Sequence, residues 1–508
     1  MTTITRPKHH DDLIAHLRES ATLGSVCGLL GWDQETYMPD GGADARAEQS
    51  SLLAGIAHER ATSERLGALI AACEGDAELT GDPETAAELR EVRRSYDLAT
   101  KLPGDLVREM AESGSKAQQA WKKARENDDF KAFEPWLAKM IDLARRKAAC
   151  YGTPEGGEAY DALLDEYEPG AKAAEIEAVF TPLGARLSAF IKDLADHGTP
   201  PSDAPLNVKV PEAAQHAFGL EVLGAMGFDL DAGRLDTTAH PFCSGFAPGD
   251  TRLTTRYRDE RFTDALYGTM HEGGHGLYEQ GLPKDTKFGS PLASSISLGI
   301  HESQSRMWEN FVGRSRQFWV WAKPIADRHF EGALDAWSVD DMTKAVNTAK
   351  PSFIRVEADE ATYNLHVMLR FGIERALLRG DLEASDVPNA WNGRFEELFG
   401  TTPPDNRRGC LQDVHWSFGL IGYFPTYTLG NLYAAQLWET ILDEVPDLES
   451  KMERGEFADL LAWLRDKIHT HGMRYRAGEL CEMITGKPLG PDPLLRHLER
   501  RIRPAYGL

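Results

Sequence analysis

The pentapeptide His271-Glu272-Gly273-Gly274-His275 constrains the fold more than any other stretch of the chain. Its H-E-x-x-H pattern works on an α-helix, where positions i and i+4 share a face, so both imidazoles reach one ion and Glu272 stands beside the open coordination position. The two glycines pull the other way, since each costs about 1 kcal/mol in a helix interior. A surface helix carrying two histidines is the plainer alternative. Yet paired glycines also let another backbone or a substrate come close. A catalytic zinc needs a third protein ligand and an open position, so a second helix is expected to cross the first. Gly299-Ile300-His301-Glu302-Ser303-Gln304 offers Glu302 or His301 for that place, and Glu302 is the expected ligand. Glu279 lies one turn beyond His275 on the same helix, and three ligands from one straight helix fit a tetrahedron poorly.

The rest of the chain reads as a helical body around such a site. With 508 residues, 42% hydrophobic and 27% charged, it has the composition of a globular protein with a large core. Eighty acidic against 56 basic residues give a formal charge of −24, which opposes binding to nucleic acid or to anionic membrane. Six scattered cysteines without a CxxC, and a start (MTTITRPKHHDD) without the basic-then-apolar layout of a secretory signal, fit a cytoplasmic location. One stretch, residues 414–438, contains no Asp, Glu, Lys or Arg and is long enough to span a bilayer. It also contains His415, Pro425, Asn431 and Gln436, so it is read as a buried segment lining an interior site.

Phe133, Leu137, Met140 and Ile141 fall on one helical face, as do Leu365, Leu369 and Ile373. Asp492-Pro493 reads as an N-cap and first helical residue ahead of Leu494, Leu495, Leu498 and Ile502. The clearest strand is Arg252–Tyr257, and a second is expected over Asn207–Val210. Connections at 152–157, 198–205, 400–409 and 485–493 are too short and too little biased for flexible linkers. The chain is therefore expected to form one catalytic domain over 1–508, two helical halves flanking a cleft, with the metal motifs within 240–423.

Further blocks accompany HEGGH and HESQS: His240-Pro241-Phe242; Asp250-Thr251-Arg252-Leu253-Thr254 (D-x-R-x-T); Ile354-Arg355-Val356-Glu357-Ala358-Asp359 (I-R-x-x-A-D); and Gly409–Trp416 (G-x-x-Q-D-x-H-W). Gly31–Pro39 (GWDQETYMP) and Tyr160–Leu164 (YDALL) extend the set over most of the chain. Together they resemble the thermostable carboxypeptidase Taq family of zinc metallocarboxypeptidases, with no departure at a motif position. The resemblance implies a mainly α-helical fold like that of neurolysin and angiotensin-converting enzyme, with a deep substrate groove. It also implies a cytoplasmic homodimer, and removal of residues from free peptide C-termini with broad preference, using zinc with cobalt able to replace it.

In that scheme His271, His275 and Glu302 hold the metal, and Glu272 is the general base. An oxyanion donor besides the metal is sought among His240, His415 and Tyr423, each in a motif short of charge. The Gln412-Asp413 pair is an alternative support for a ligand imidazole. A free terminal carboxylate calls for an arginine fork. Arg355 stands in the apolar run Phe353–Val356, where an unpaired guanidinium is costly. The plainer reading pairs it with Asp359, but the resemblance associates the I-R-x-x-A-D arginine with the substrate carboxylate. Arg252 is the rival, on a strand expected to flank the metal helix and to pair with the substrate backbone. Two other functions use the same residues: an oligopeptidase cutting internally, and a catalytically dead peptide-binding scaffold.

Overall fold

A computed structural model describes residues 7–508; the first six residues of the segment read for a secretory signal lie outside them. The chain is mainly α-helical, with one small sheet. The expected apolar faces are in place. Phe133, Leu137, Met140 and Ile141 are buried on the helix Phe130–Tyr151, and Leu365, Leu369 and Ile373 on Tyr363–Arg379. The principal core runs from Ala124 to Tyr506. A smaller one, made by Leu13, Leu66, Ile70, Cys73, Leu79, Leu89 and Val92, holds the N-terminal helices together.

The sheet has three strands: β1 (Gly233–Thr237), β2 (Cys243–Ala247) and β3 (Asp250–Thr255). Their order is β1-β3-β2, with β1 parallel and β2 antiparallel to β3. Thr254 of D-x-R-x-T locks the His240-Pro241-Phe242 block beside it: its Oγ1 accepts from Phe242 N–H at 2.8 Å, and its own N–H donates to Phe242 O at 3.0 Å. The strand expected over Asn207–Val210 does not form. Prolines 205 and 211 bracket it, and Val210 N–H makes a single backbone bond, to Asp259 O at 2.8 Å.

The expected cap at Asp492 also differs. The helix Asp492–Ala505 is preceded by Pro491, and no side chain caps it; Asp492 instead pairs with Arg186. Residues 425–438 of the charge-poor stretch lie on the helix Pro425–Glu444, which is buried along most of its length. Among the described residues no helix is long and apolar enough to cross a membrane.

Candidate metal centre

The H-E-x-x-H motif lies on the helix Phe262–Gly281, and Glu302 on Leu298–Arg306. Ser297 caps the latter, its Oγ accepting from Ile300 N–H at 3.0 Å. The two glycines have distinct tasks in this crossing. A Cβ on Gly274 would sit 2.6 Å from Gln304 O and 2.7 Å from Ser305 Cα, both backbone of the second helix, while one on Gly273 would meet Leu223 at 2.6 Å. The weak helix formers are thus what let the helices touch. Gly430 does the same on the far side, where a Cβ would lie 2.5 Å from Glu302 Cγ. We expect Gly274→Ala to separate the helices, lowering stability by about 1–3 kcal/mol and weakening metal binding. Thermal melting and a metal titration check both.

His271 Nε2 lies 3.6 Å, and His275 Nε2 3.4 Å, from Glu302 Oε2. A tetrahedral ion with bonds of about 2.0–2.2 Å separates its ligand atoms by about 3.3–3.6 Å, so these residues fit zinc as placed. Among the described residues, this is the cluster of histidine, cysteine and carboxylate side chains close enough to share an ion.

The remaining ring nitrogens are anchored from behind. His271 Nδ1–H donates to Glu309 Oε2 at 2.8 Å, and Arg306 donates both to that oxygen and to Glu302 Oε1. On the other side, His301 Nε2 meets Glu279 Oε1 at 2.8 Å, and its Nδ1 meets His275 Nδ1 at 2.5 Å. Burial alone would raise Glu279, but His301 and Lys284 bring it down to about 2, so it is an acceptor. With His301 Nε2–H donating to Glu279, its Nδ1 is the acceptor for His275 Nδ1–H, and the Nε2 lone pair of His275 is left facing Glu302. The candidates His301 and Glu279 are therefore brought to the site as supports for His275, one behind the other.

Glu272 is 7% exposed and is not among the residues whose ligand atoms cluster closely enough to share an ion. Burial pushes its carboxyl up to about 7, near the working range of a general base at neutral pH.

Across from Glu302 stands a set of aromatic rings. Tyr423 and Tyr427 both feel the Glu302 charge, and their ring centroids are 5.4 Å apart. His415 lies 5.5 Å from Tyr423, with its Nε2 at 3.5 Å from Tyr427 OH and its Nδ1 buried without a hydrogen-bond partner. Burial pushes His415 down to about 4, so the ring is neutral. Glu374 fastens this segment, accepting from Trp416 Nε1, Gly422 N–H and the Tyr160 hydroxyl of the YDALL block. His240 lies apart, exposed in the connection between β1 and β2.

Arg355 is 6% exposed beside the same rings. Its partner is not Asp359, which instead accepts from the backbone of Lys350, Ala361 and Thr362. Arg355 Nε and Nη2 donate to Asp413 Oδ1 at 3.0 and 2.9 Å, and Nη1 donates to Tyr363 OH at 3.0 Å. Asp413 is thus committed to arginines and does not orient a ligand imidazole. Gln412 joins the two motifs by accepting from Arg355 N–H at 2.8 Å.

Arg252 lies over the Trp32 ring at 4.4 Å, and its Nε and Nη2 form a fork on Asp250. Its strand β3 flanks the metal helix but is the middle strand of the sheet. The expected pairing of that strand with a substrate backbone is ruled out, because both its edges are taken.

Sequence reasoning passed over Glu309, Arg306, Tyr363, Arg370 and Tyr427. Tyr427 had a signal, a polar aromatic within the charge-free stretch. Glu309 had less, because a π-helical turn over Met307–Val312 alters its register from Glu302.

Residues 12–502 match the model of the family described as carboxypeptidase Taq (M32) metallopeptidase. The chain is 44% identical to thermostable carboxypeptidase 1 of Thermus thermophilus, over 98% of this chain and 99% of that protein. It is 36% identical to carboxypeptidase 1 of Bacillus subtilis, over 97% of each. The crystal structure of the M32 carboxypeptidase from Deinococcus radiodurans superposes with a TM-score of 0.95 at 39% identity, covering 99% of this chain and 100% of that one.

Proposed function

The chain belongs to the carboxypeptidase Taq (M32) metallopeptidase family and is a metal-dependent carboxypeptidase, and we propose that it works through zinc held by His271, His275 and Glu302, with Glu272 as base and Arg355 as reader of the substrate's terminal carboxylate. The observation that carries this reading is the separation of two imidazole nitrogens from one carboxylate oxygen, 3.6 and 3.4 Å. Zinc bound there supplies a polarised water and a Lewis acid for the scissile carbonyl. Glu272 would accept a proton from the attacking water and deliver it to the leaving amine. Tyr423, which feels the Glu302 charge, and His415 beside it are the candidates to donate to the developing oxyanion; His240, exposed as it stands, is the weaker third.

Charge favours Arg355 over Arg252 for the terminal carboxylate. Arg252 is matched one to one by Asp250, whereas Arg355 and Arg370 share the single carboxylate of Asp413. Among the described residues Arg355 commits three of its five N–H groups, leaving one on each terminal nitrogen for a bidentate carboxylate.

We further propose that residues 1–508 act as one catalytic domain, that cobalt can replace zinc, and that the enzyme is a cytoplasmic homodimer of broad specificity. These points rest on the family resemblance, and the reduced cysteines accord with the location.

Arg355→Ala is expected to lower kcat/KM on free-acid peptides roughly 10²–10³-fold, the loss of one partly buried charge-assisted pair. The wild type should cut amidated peptides poorly, and the variant should treat acid and amide almost alike; the comparison counts where the variant's melting temperature stays close to that of the wild type. A variant that keeps the wild-type preference for acids would make Arg355 structural and pass the role to Arg252.

A further inference from the structure

Arg370 stands on the helix Tyr363–Arg379 and is fully buried. Its Nε donates to Asp413 Oδ2 at 2.6 Å, its Nη2 pairs with the same oxygen, and its Nη1 donates to His366 O at 2.6 Å. Its guanidinium lies over Trp391 at 4.6 Å. Arg355 occupies the other oxygen of the same carboxylate, so one anion serves two cations.

The groups around them rebalance the charge only in part. Tyr427 is held neutral by burial. His415 and His366 are held neutral by burial. Glu374, one turn beyond Arg370, spends its two oxygens on Tyr160, Trp416 and Gly422 and forms an ion pair with neither arginine, and burial pushes its carboxyl up to about 7, so it offsets their charge only in part. The Arg355–Asp413–Arg370 triad keeps a net charge of about +1, in a setting where little water screens it.

We propose that Arg370 is the positioning residue that makes the Arg355 site cationic: it cancels Asp413, so that Arg355 meets the substrate's carboxylate with an uncompensated charge. Arg370 itself touches no substrate. Without it, Arg355 and Asp413 would form a neutral pair like Arg252 with Asp250, and a free acid would gain little over an amide. The inference rests on the proposed role of Arg355.

The test compares kcat and KM on one peptide in free-acid and amidated forms. Arg370→Gln is expected to reduce the acid-over-amide ratio about 10- to 100-fold, the size of one charge interaction at roughly 6 Å and an effective dielectric of about 20. The change should lie in KM for the acid, with amide hydrolysis little altered. Arg370→Gln combined with Asp413→Asn restores a single positive charge and should recover most of the ratio; a merely structural role for Arg370 would make this double variant worse. Arg370→Lys, which keeps the charge, should stay within about threefold of wild type.

If folded Arg370→Gln retains the wild-type ratio, or the double variant fails to recover it, the inference is overturned. Should Arg370→Gln not fold, Asp413→Asn alone decides: its ratio must equal or exceed that of the wild type, and a fall refutes the charge count. A wild type that treats acid and amide alike would instead refute the reading of Arg355.

Discussion

Glu272→Gln is expected to bind its metal with unchanged stoichiometry and to lose roughly 10²–10⁴-fold in kcat. Glu272 sits between the two histidines on the metal helix, yet the ion-sized cluster is closed by Glu302, not by Glu272. Its task is to take a proton. A glutamine of the same shape cannot do so, while the buried space around position 272 is filled as before. Elemental analysis of the purified variant and its turnover on a free-acid peptide make the comparison. Full metal content with near wild-type kcat would remove Glu272 from the chemistry; loss of the metal would make it a ligand.

The second large effect separates two glutamates on opposite sides of His275. Glu302→Ala is expected to weaken metal binding roughly 10³-fold or more, because it removes a bond to the ion. Glu279→Ala removes only the orientation of one, and outer supports of this kind typically contribute 10–100-fold. The path from Glu279 runs through His301, whose two nitrogens bridge Glu279 and His275. His301→Ala should therefore match Glu279→Ala, and the two together should cost little more than either alone. Competition titrations against a chelator measure all four variants. Equal losses for Glu279→Ala and Glu302→Ala, or the reverse order, would contradict the ligand assignment.

What could be read from the sequence was whatever a helix expresses within a few residues. His271 and His275 declare a shared face by their spacing, and Glu302 follows from the need for a second helix. The charge-poor run from Val414 to Trp438 declared a buried wall, which Tyr427 and Asn431 help to form. What could not be read were pairings across long separations. Arg355 was conspicuous among apolar neighbours, but its partner is 58 residues on, at Asp413, and nothing local distinguishes Asp413 from Asp359, which caps its own turn instead. Arg370 looked like one more residue of an amphipathic helix.

The same limit explains the errors. Asn207–Val210 alternates like a strand, but a strand needs a neighbour, and the prolines beside it prevent a ladder from extending. Arg252 was placed on the right strand, while its central position in the sheet depends on β1 and β2, which sequence pattern did not reveal. The glycines of HEGGH, a liability by propensity alone, are explained only by the backbone of Gln304 and Ser305 pressed against Gly274.

The most direct test of the zinc and carboxylate assignments is a crystal structure of Glu272→Gln loaded with zinc and a free-acid peptide, with anomalous data collected at the zinc edge. The account predicts one strong peak bonded to His271 Nε2, His275 Nε2 and the Glu302 carboxylate, with the peptide's terminal carboxylate forked on the Nη atoms of Arg355. A peak held by Glu279 or His301, or a terminal carboxylate lying on Arg252, would contradict it.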